Sequence, residues 1–122
     1  MWIISRHVEI DSSHIVPKHP GKCRNLHGHR WVFDVECEGS ELDEIGFVFD
    51  FVIIKELVNR YDHAHLNDFE EFDDETCPPT SENFVRIVYQ RLDSALRAHN
   101  PTARCRKVRL SETPDSWAEY SE

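Results

Sequence analysis

Two segments near the amino terminus alternate between apolar and polar side chains, a pattern typical of half-buried β-strands. In residues 2–10, Ile4, Val8 and Ile10 occupy positions of the same parity, and residues 29–38 alternate more regularly. In the second segment the odd-numbered positions are apolar, and they are occupied by Trp31, Phe33, Val35 and Cys37. Because alternate residues of a strand face one side of a sheet, both segments are predicted to cover one core.

Further along the chain, apolar residues recur every three to four positions, the spacing typical of amphipathic helices. Residues 50–60 begin with Asp50, a residue type that caps helix amino termini, and then carry an apolar stripe. Residues 81–98 carry a longer stripe, which starts after the Pro-Pro-Thr sequence at 78–80 and stops at Asn100. Two helices are therefore predicted in the middle of the chain.

Strand patterns return at 104–112 and 116–121, so the predicted order is ββααββ. This order predicts an α+β fold, with an antiparallel four-stranded sheet and both helices on one face, in a single domain over 1–122. The edges of so small a sheet must be covered, so we expect the chain to oligomerise through them.

Composition narrows the class of protein. A formal net charge of −9 argues against a nucleic-acid binder, which needs a basic face. No apolar run approaches the ~20 residues of a membrane span, and no signal peptide is recognisable, so we expect a cytoplasmic protein without a membrane partner. The four cysteines form no CxxC pair and are expected to be free thiols in a reducing compartment.

Three histidines in the segment 14–29 have the spacing of metal ligands. His27 and His29 are two residues apart, so on a strand they lie on one face about 6.5–7 Å apart. His14 continues the apolar parity of the first strand and meets that pair if the two strands form a hairpin. Three imidazoles with an open fourth position are typical of catalytic zinc, and the alternative is three ordinary histidines without a metal.

Cys23 lies four residues before His27, between Lys22 and Arg24. Neighbouring cations favour the thiolate and lower the pKa of a cysteine. The spacing leaves three roles open for this thiolate, namely fourth zinc ligand, nucleophile or proton acceptor. An unreactive loop thiol is the remaining alternative.

Two carboxylates are further candidates. Asp62 adjoins His63 and can fix its tautomer, although a polar helix end is the alternative. Glu112 shares the parity of Val108 and Leu110, so it is predicted to face the protected side of the sheet. A carboxylate there needs a partner, either a ligand with adjacent N–H donors or a nearby arginine.

The acidic segment, the other cysteines and the other histidines are expected to have structural or surface roles. The acidic segment 68–75 is expected to be a solvated surface loop. Cys37 is expected in the core, whereas Cys77 and Cys105 have no partner that the sequence indicates. The histidines expected to be ordinary surface or supporting residues are His7, His19, His65 and His99.

Five ordered motifs resemble those of the 6-pyruvoyl-tetrahydropterin synthase family. They are SSHIVPKHPGKCRNLHGH, GFVFDF, DHAHLN, PTSEN and SETP, and the match covers about residues 3 to 120. Three residues separate the cysteine from HGH, as in the bacterial 6-carboxytetrahydropterin synthase branch of queuosine biosynthesis. Two departures stand out, Ile10 in place of an aromatic residue and the acidic stretch 68–76.

The resemblance implies roles for the candidate residues. It implies a Zn²⁺ cofactor on the three histidines and a proton acceptor at Cys23. Asp62 and His63 would form a relay that completes a triad with a cysteine across a subunit interface. Glu112 would anchor the pterin ring and join the proton relay.

The implied fold is the tunnelling fold, in which three ββααββ units close a β-barrel and two rings stack as a homohexamer. The implied reaction is that of a carbon–carbon lyase. It converts 7,8-dihydroneopterin triphosphate to 6-carboxy-5,6,7,8-tetrahydropterin, with loss of acetaldehyde and triphosphate. Alternatives are 6-pyruvoyl-tetrahydropterin synthase activity and a non-catalytic zinc- or pterin-binding paralogue. A zinc hydrolase ranks last, since it lacks an obvious glutamate general base near the metal.

A triphosphate substrate needs cations. The dense positive stretch of this acidic chain supplies four candidates, and an ordinary surface role is the alternative for each. The candidates are Lys18, Lys22, Arg24 and Arg30.

Overall fold

A long hairpin of two strands forms the centre of the computed structural model, which describes all 122 residues. Strand β1 (Trp2–His14) pairs antiparallel with β2 (His27–Gly39) along its whole length. Two antiparallel strands continue the sheet beyond β2, and a two-residue parallel strand lies beside β1. In chain order the other elements are α1 (Phe51–Asn59), β3 (Ala64–His65), α2 (Ser81–His99), β4 (Arg104–Thr113) and β5 (Ser116–Tyr120).

The predicted ββααββ order is confirmed, and the sheet order is β3-β1-β2-β4-β5. The fifth strand, β3, was not predicted, because two residues are too few to show an alternating pattern. The first two strands also extend further than predicted. Backbone pairing continues to His14 and His27, beyond the last apolar residues that mark the strands in the sequence. No helix of the chain is long and apolar enough to cross a membrane.

The predicted apolar faces form one core. Trp31 and Phe33 are fully buried in β2 and meet Phe84 of α2 edge to face, with ring centroids 5.3 and 5.2 Å apart. The α1 cap is Asp50, whose carboxylate accepts a hydrogen bond from the backbone of Val52. Ile54 and Val58 of α1 are buried in the same core, so both helices lie against one face of the sheet.

The two buried cysteines are cross-strand neighbours. Cys37 lies in the core as predicted, and Cys105 of β4 faces it directly in the register. Contact with the Cys37 thiol, and then burial, raises the pKa of Cys105. Cys105 therefore has a partner, which its sequence position did not indicate. All four cysteines are free, and the Cys77 sulfur lies 3.5 Å from Nη2 of Arg86.

The acidic segment 68–75 is not only a solvated loop, so that expectation is wrong in part. Phe72 is buried, and Phe69 packs against the core. The Glu71 carboxylate accepts hydrogen bonds from the hydroxyl of Tyr61 (2.6 Å) and from Arg60 (2.8 Å). Its aromatic residues and Glu71 fix this segment to the protein, while its other acids remain in solvent.

Asn100 fixes the loop that follows β2. Its buried side-chain amide donates to the carbonyls of Glu41 (2.9 Å) and Val48 (3.2 Å). We expect Asn100→Ala to lower the free energy of unfolding by about 1–3 kcal/mol, because it leaves these carbonyls without a donor. Asn59→Ala, at an exposed helix end, should change it by less than about 0.5 kcal/mol. Urea unfolding at one protein concentration measures both, and equal effects would contradict this role.

Candidate metal centre and catalytic residues

The β1–β2 hairpin brings the three candidate metal ligands together. His14 faces His27 directly across the hairpin, and His29 faces Ser12, two residues before His14. All three rings consequently lie on the helix-facing side of the sheet. Their centroids are 4.5 Å apart for His14–His27, 5.1 Å for His14–His29 and 4.9 Å for His27–His29.

Backbone carbonyls orient two of these rings. Nδ1 of His14 donates to the carbonyl of Pro79 (2.7 Å), and Nδ1 of His27 donates to that of Asn25 (2.6 Å). A carbonyl only accepts, so the proton of each neutral ring lies on Nδ1 and the lone pair on Nε2. The Nε2 atoms of all three histidines are buried and have no hydrogen-bond partner.

Burial favours the neutral form of His14 and His29. Burial lowers the pKa of His14 to about 4, and it also lowers that of His29. Neutral imidazoles are the form that binds a metal ion. Three convergent Nε2 atoms without a hydrogen-bond partner fit Zn²⁺, whose ligands in catalytic sites are commonly three protein side chains.

Glu112 lies beside the histidines. Its Oε1 is 3.2 Å from Nε2 of His29 and 3.5 Å from Nε2 of His14, although neither contact is a hydrogen bond. The donor atoms of Glu112 and the three histidines all lie within 4.8 Å of one another. Glu112 thus faces the protected side, as its parity predicts, and it lies beside histidines and not beside an arginine.

Cys23 lies in a 3₁₀ turn, Lys22–Arg24, in the loop between β1 and β2. Hydrogen bonds connect this part of the loop to the segments that carry two of the candidate metal ligands. The Cys23 carbonyl accepts from the backbone N–H of Val16, just after β1, and the carbonyl that orients His27 comes from the residue after the turn. The half-buried Cys23 sulfur lies outside the four-residue group around the histidines.

Asp62 and His63 form a bonded pair at the edge of the sheet. Oδ2 of Asp62 is 2.8 Å from Nδ1 of His63, and Oδ1 accepts from the backbone N–H of Asp11 (2.9 Å). The hydrogen bond to Asp62 raises the pKa of His63. The hydrogen bond from the Asp11 backbone, and then that from His63, lowers the pKa of Asp62. The His63 ring is 79% exposed, and no hydrogen bond or ion pair joins it to Cys23 within the chain.

Two of the four candidate phosphate-binding cations are paired with acids. The Lys18 ammonium lies 3.3 Å from Glu75, and Nε of Arg30 lies 3.5 Å from Asp11. The two with no acidic partner are Lys22 and Arg24, on either side of the Cys23 thiol.

Comparison with known proteins places the chain among pterin enzymes. Residues 3–122 match the sequence pattern of the family described as 6-pyruvoyl tetrahydropterin synthase. The chain belongs to this family. Within it, the chain is 33% identical over 121 residues to the 6-carboxy-5,6,7,8-tetrahydropterin synthase of Bacillus subtilis, covering 96% of this chain and 83% of that one. The Haemophilus influenzae protein of the same name is 30% identical, with both chains fully covered.

The fold agrees with this membership. The solved structure of Caenorhabditis elegans 6-pyruvoyl tetrahydropterin synthase matches with a TM-score of 0.75 and 26% identity. That match covers 99% of this chain and 95% of the other.

Two residues of the site were not predicted from the sequence. The Asn67 side chain accepts from the N–H of Ile15 (2.9 Å) and donates to its carbonyl (3.0 Å), which fixes the chain immediately after His14. Asp11 holds both Asp62 and His63 through its backbone. Asn67 lies in the DHAHLN motif, so the family pattern could have indicated it, whereas the Asp11 contacts leave no pattern in the sequence.

Proposed function

We propose that the chain is a zinc-dependent 6-carboxy-5,6,7,8-tetrahydropterin synthase. It converts 7,8-dihydroneopterin triphosphate to 6-carboxytetrahydropterin and releases acetaldehyde and triphosphate, which makes it a carbon–carbon lyase. The observation that carries the proposal is the convergence of three buried Nε2 atoms without partners, in a chain whose relatives bear this name. Its product serves queuosine or other 7-deazaguanine biosynthesis.

His14, His27 and His29 would hold the zinc ion. The bound metal would supply Lewis-acid polarisation of oxygens on the substrate side chain. The carbonyls bonded to His14 and His27 keep those rings in the tautomer that leaves Nε2 free for the metal. The protein thus holds His14 and His27 in fixed orientations before the metal or substrate binds.

Cys23 would remove a carbon-bound proton from the substrate side chain. Its turn is joined by a backbone hydrogen bond to the chain after His14, and the next residue supplies the carbonyl that orients His27, which supports a place for the thiol near the three histidines.

Asp62 and His63 would move protons to and from the same side chain. Asp62 holds Nδ1 of His63, which directs Nε2 outward, and the ring is exposed at the sheet edge. This exposure, together with the lack of any contact with Cys23 in the same chain, supports an active site shared between subunits. The tunnelling-fold homohexamer, a dimer of two trimeric barrels, provides such an interface and covers the open sheet edges.

Glu112 would fix the pterin ring. Its carboxylate is 29% exposed and borders a cleft that His29 also lines, so it can accept hydrogen bonds from adjacent N–H groups of a ligand. It therefore positions the substrate side chain relative to the histidines.

Lys22 and Arg24 would bind the triphosphate. Replacing both by Ala is expected to raise the KM for the triphosphate substrate by about tenfold or more while kcat changes little, because charge-assisted hydrogen bonds are lost on binding. Steady-state kinetics measures this change. Lys55→Ala, which removes an exposed cation of α1, is the control and should leave KM unchanged. An unchanged KM in the double variant would remove these two cations from the site.

Product analysis tests the proposed reaction. Zinc-loaded protein incubated with 7,8-dihydroneopterin triphosphate is expected to yield 6-carboxytetrahydropterin and acetaldehyde in equal amounts, which mass spectrometry and an aldehyde assay detect. The 6-pyruvoyl product without acetaldehyde would instead show the activity named for the Caenorhabditis elegans structure. Binding without turnover would identify a non-catalytic paralogue.

A further inference from the structure

Asp11 holds the Asp62–His63 pair with its main chain. Its N–H donates to the Asp62 carboxylate (2.9 Å), and its carbonyl accepts from the His63 N–H (2.6 Å). His63 has φ of +53°, in the left-handed region. A residue with a side chain keeps that conformation only where its surroundings impose it. Here the surroundings are the two hydrogen bonds by which the Asp11 backbone holds Asp62 and His63.

The Asp11 carboxylate acts on the same pair from close range. Ligand-type atoms of Asp11, Asp62 and His63 all lie within 4.8 Å of one another, so the imidazole faces two carboxylates. Arg30 of β2 offsets the negative charge of Asp11, because its Nε lies 3.5 Å from the Asp11 carboxylate. The neighbouring β3 contributes His65, whose Nδ1 is bonded to the hydroxyl of Ser13. The hydrogen bond to Asp62, then the negative charge of Asp62 and to a smaller extent that of Asp11, raise the pKa of His63, while Arg30 lowers it.

We propose that Asp11 is a positioning residue of the proton relay. Its backbone fixes His63 against Asp62, and its carboxylate, balanced by Arg30, favours the protonated imidazole. The protonated ring is the form that can deliver a proton to a substrate. The catalytic meaning of this inference rests on the proposed function, whereas the effect of Asp11 on His63 does not.

The test is the titration of individual histidines by NMR in the zinc-loaded protein, without substrate. Asp11→Asn keeps the backbone hydrogen bonds and removes the charge, so the titration midpoint of His63 should fall by roughly a few tenths of a pH unit, and that of His7 should not move. Asp34→Asn is the matched control on the same sheet face. It removes the carboxylate 2.7 Å from Nδ1 of His7, so it should lower the His7 midpoint and leave that of His63 unchanged.

An unchanged His63 midpoint in Asp11→Asn, or an equal fall in Asp34→Asn, would overturn the inference. Should Asp11→Asn not fold, Arg30→Gln decides. Loss of the opposing cation should raise the His63 midpoint by a similar amount, and no change or a fall would overturn the proposal. If wild-type protein released no acetaldehyde, the proposed function would fail while the titration result would still decide the role of Asp11.

In the active enzyme, the limb of the pH–kcat profile that reports His63 should move with the NMR midpoint. In Asp11→Asn that limb should therefore shift to lower pH. A residue with only a structural role would lower kcat equally at all pH values, and that outcome would contradict a role in proton transfer.

Discussion

Cys23→Ala is expected to lose acetaldehyde formation by a factor of roughly 10²–10⁴ while the protein still binds about one zinc per chain. The thiol lies in the turn between the two strands that carry the histidines, and it is not part of the four-residue group of His14, His27, His29 and Glu112. Its removal therefore takes away the proposed proton acceptor and leaves the three imidazoles in place. Enzyme assay and elemental analysis of the same sample measure the two quantities separately.

Cys77→Ala is the matched control. Cys77 is also a half-buried free thiol, but its sulfur contacts Arg86. It should retain both turnover and zinc. Turnover that survives Cys23→Ala would exclude the proton-acceptor role, and loss of zinc together with turnover would show that Cys23 is a ligand.

A mixture of two inactive variants is expected to regain activity. His63→Asn should be inactive because it removes the imidazole that moves protons, and Cys23→Ala because it removes the thiolate. When the two chains are unfolded together and refolded in equal amounts, about a quarter of the shared sites should contain Cys23 from one chain and His63 from its neighbour, both intact. Turnover should therefore recover to about a quarter of the wild-type value.

The recovery depends on the site being shared. If Cys23 and His63 of one chain acted together, each site in the mixture would lack one of them and turnover would stay at the level of the separate variants. Refolded wild-type protein sets the reference activity. A double variant carrying both changes in one chain, mixed with wild type, controls for dilution of the active chains.

The helices and strands that could be predicted are those whose buried residues recur at regular intervals along the sequence. Alternation in 29–38 predicted β2 because each apolar residue enters the same core, and the capping residues Asp50 and Thr80 marked the starts of both helices. The strand parity of His14, His27 and His29 was sufficient to place them on one face. An alternating pattern of apolar and polar residues cannot reveal a strand as short as β3. Its two residues pair with β1 because the preceding turn places them beside that strand.

Contacts between distant segments could not be predicted. The Pro79 carbonyl that orients His14 comes from a residue 65 positions away. Pro79 lies in the PTSEN motif, but the motif does not show that its backbone carbonyl meets His14. The same holds for Asp11, which contacts Asp62 through its backbone, a group that every residue possesses. The structure thus adds the orientation of the ligands and the anchoring of the relay, while spacing and motif order indicated which residues to consider.

The central claim is that the three-histidine site binds the zinc on which the reaction depends. It is tested most directly by removing metal with a chelator, returning zinc stepwise, and measuring bound zinc and acetaldehyde formed from 7,8-dihydroneopterin triphosphate on the same samples. Acetaldehyde formation is predicted to be absent without metal and to rise in proportion to bound zinc, reaching its maximum at about one ion per chain. Full turnover by the metal-free protein would contradict the claim.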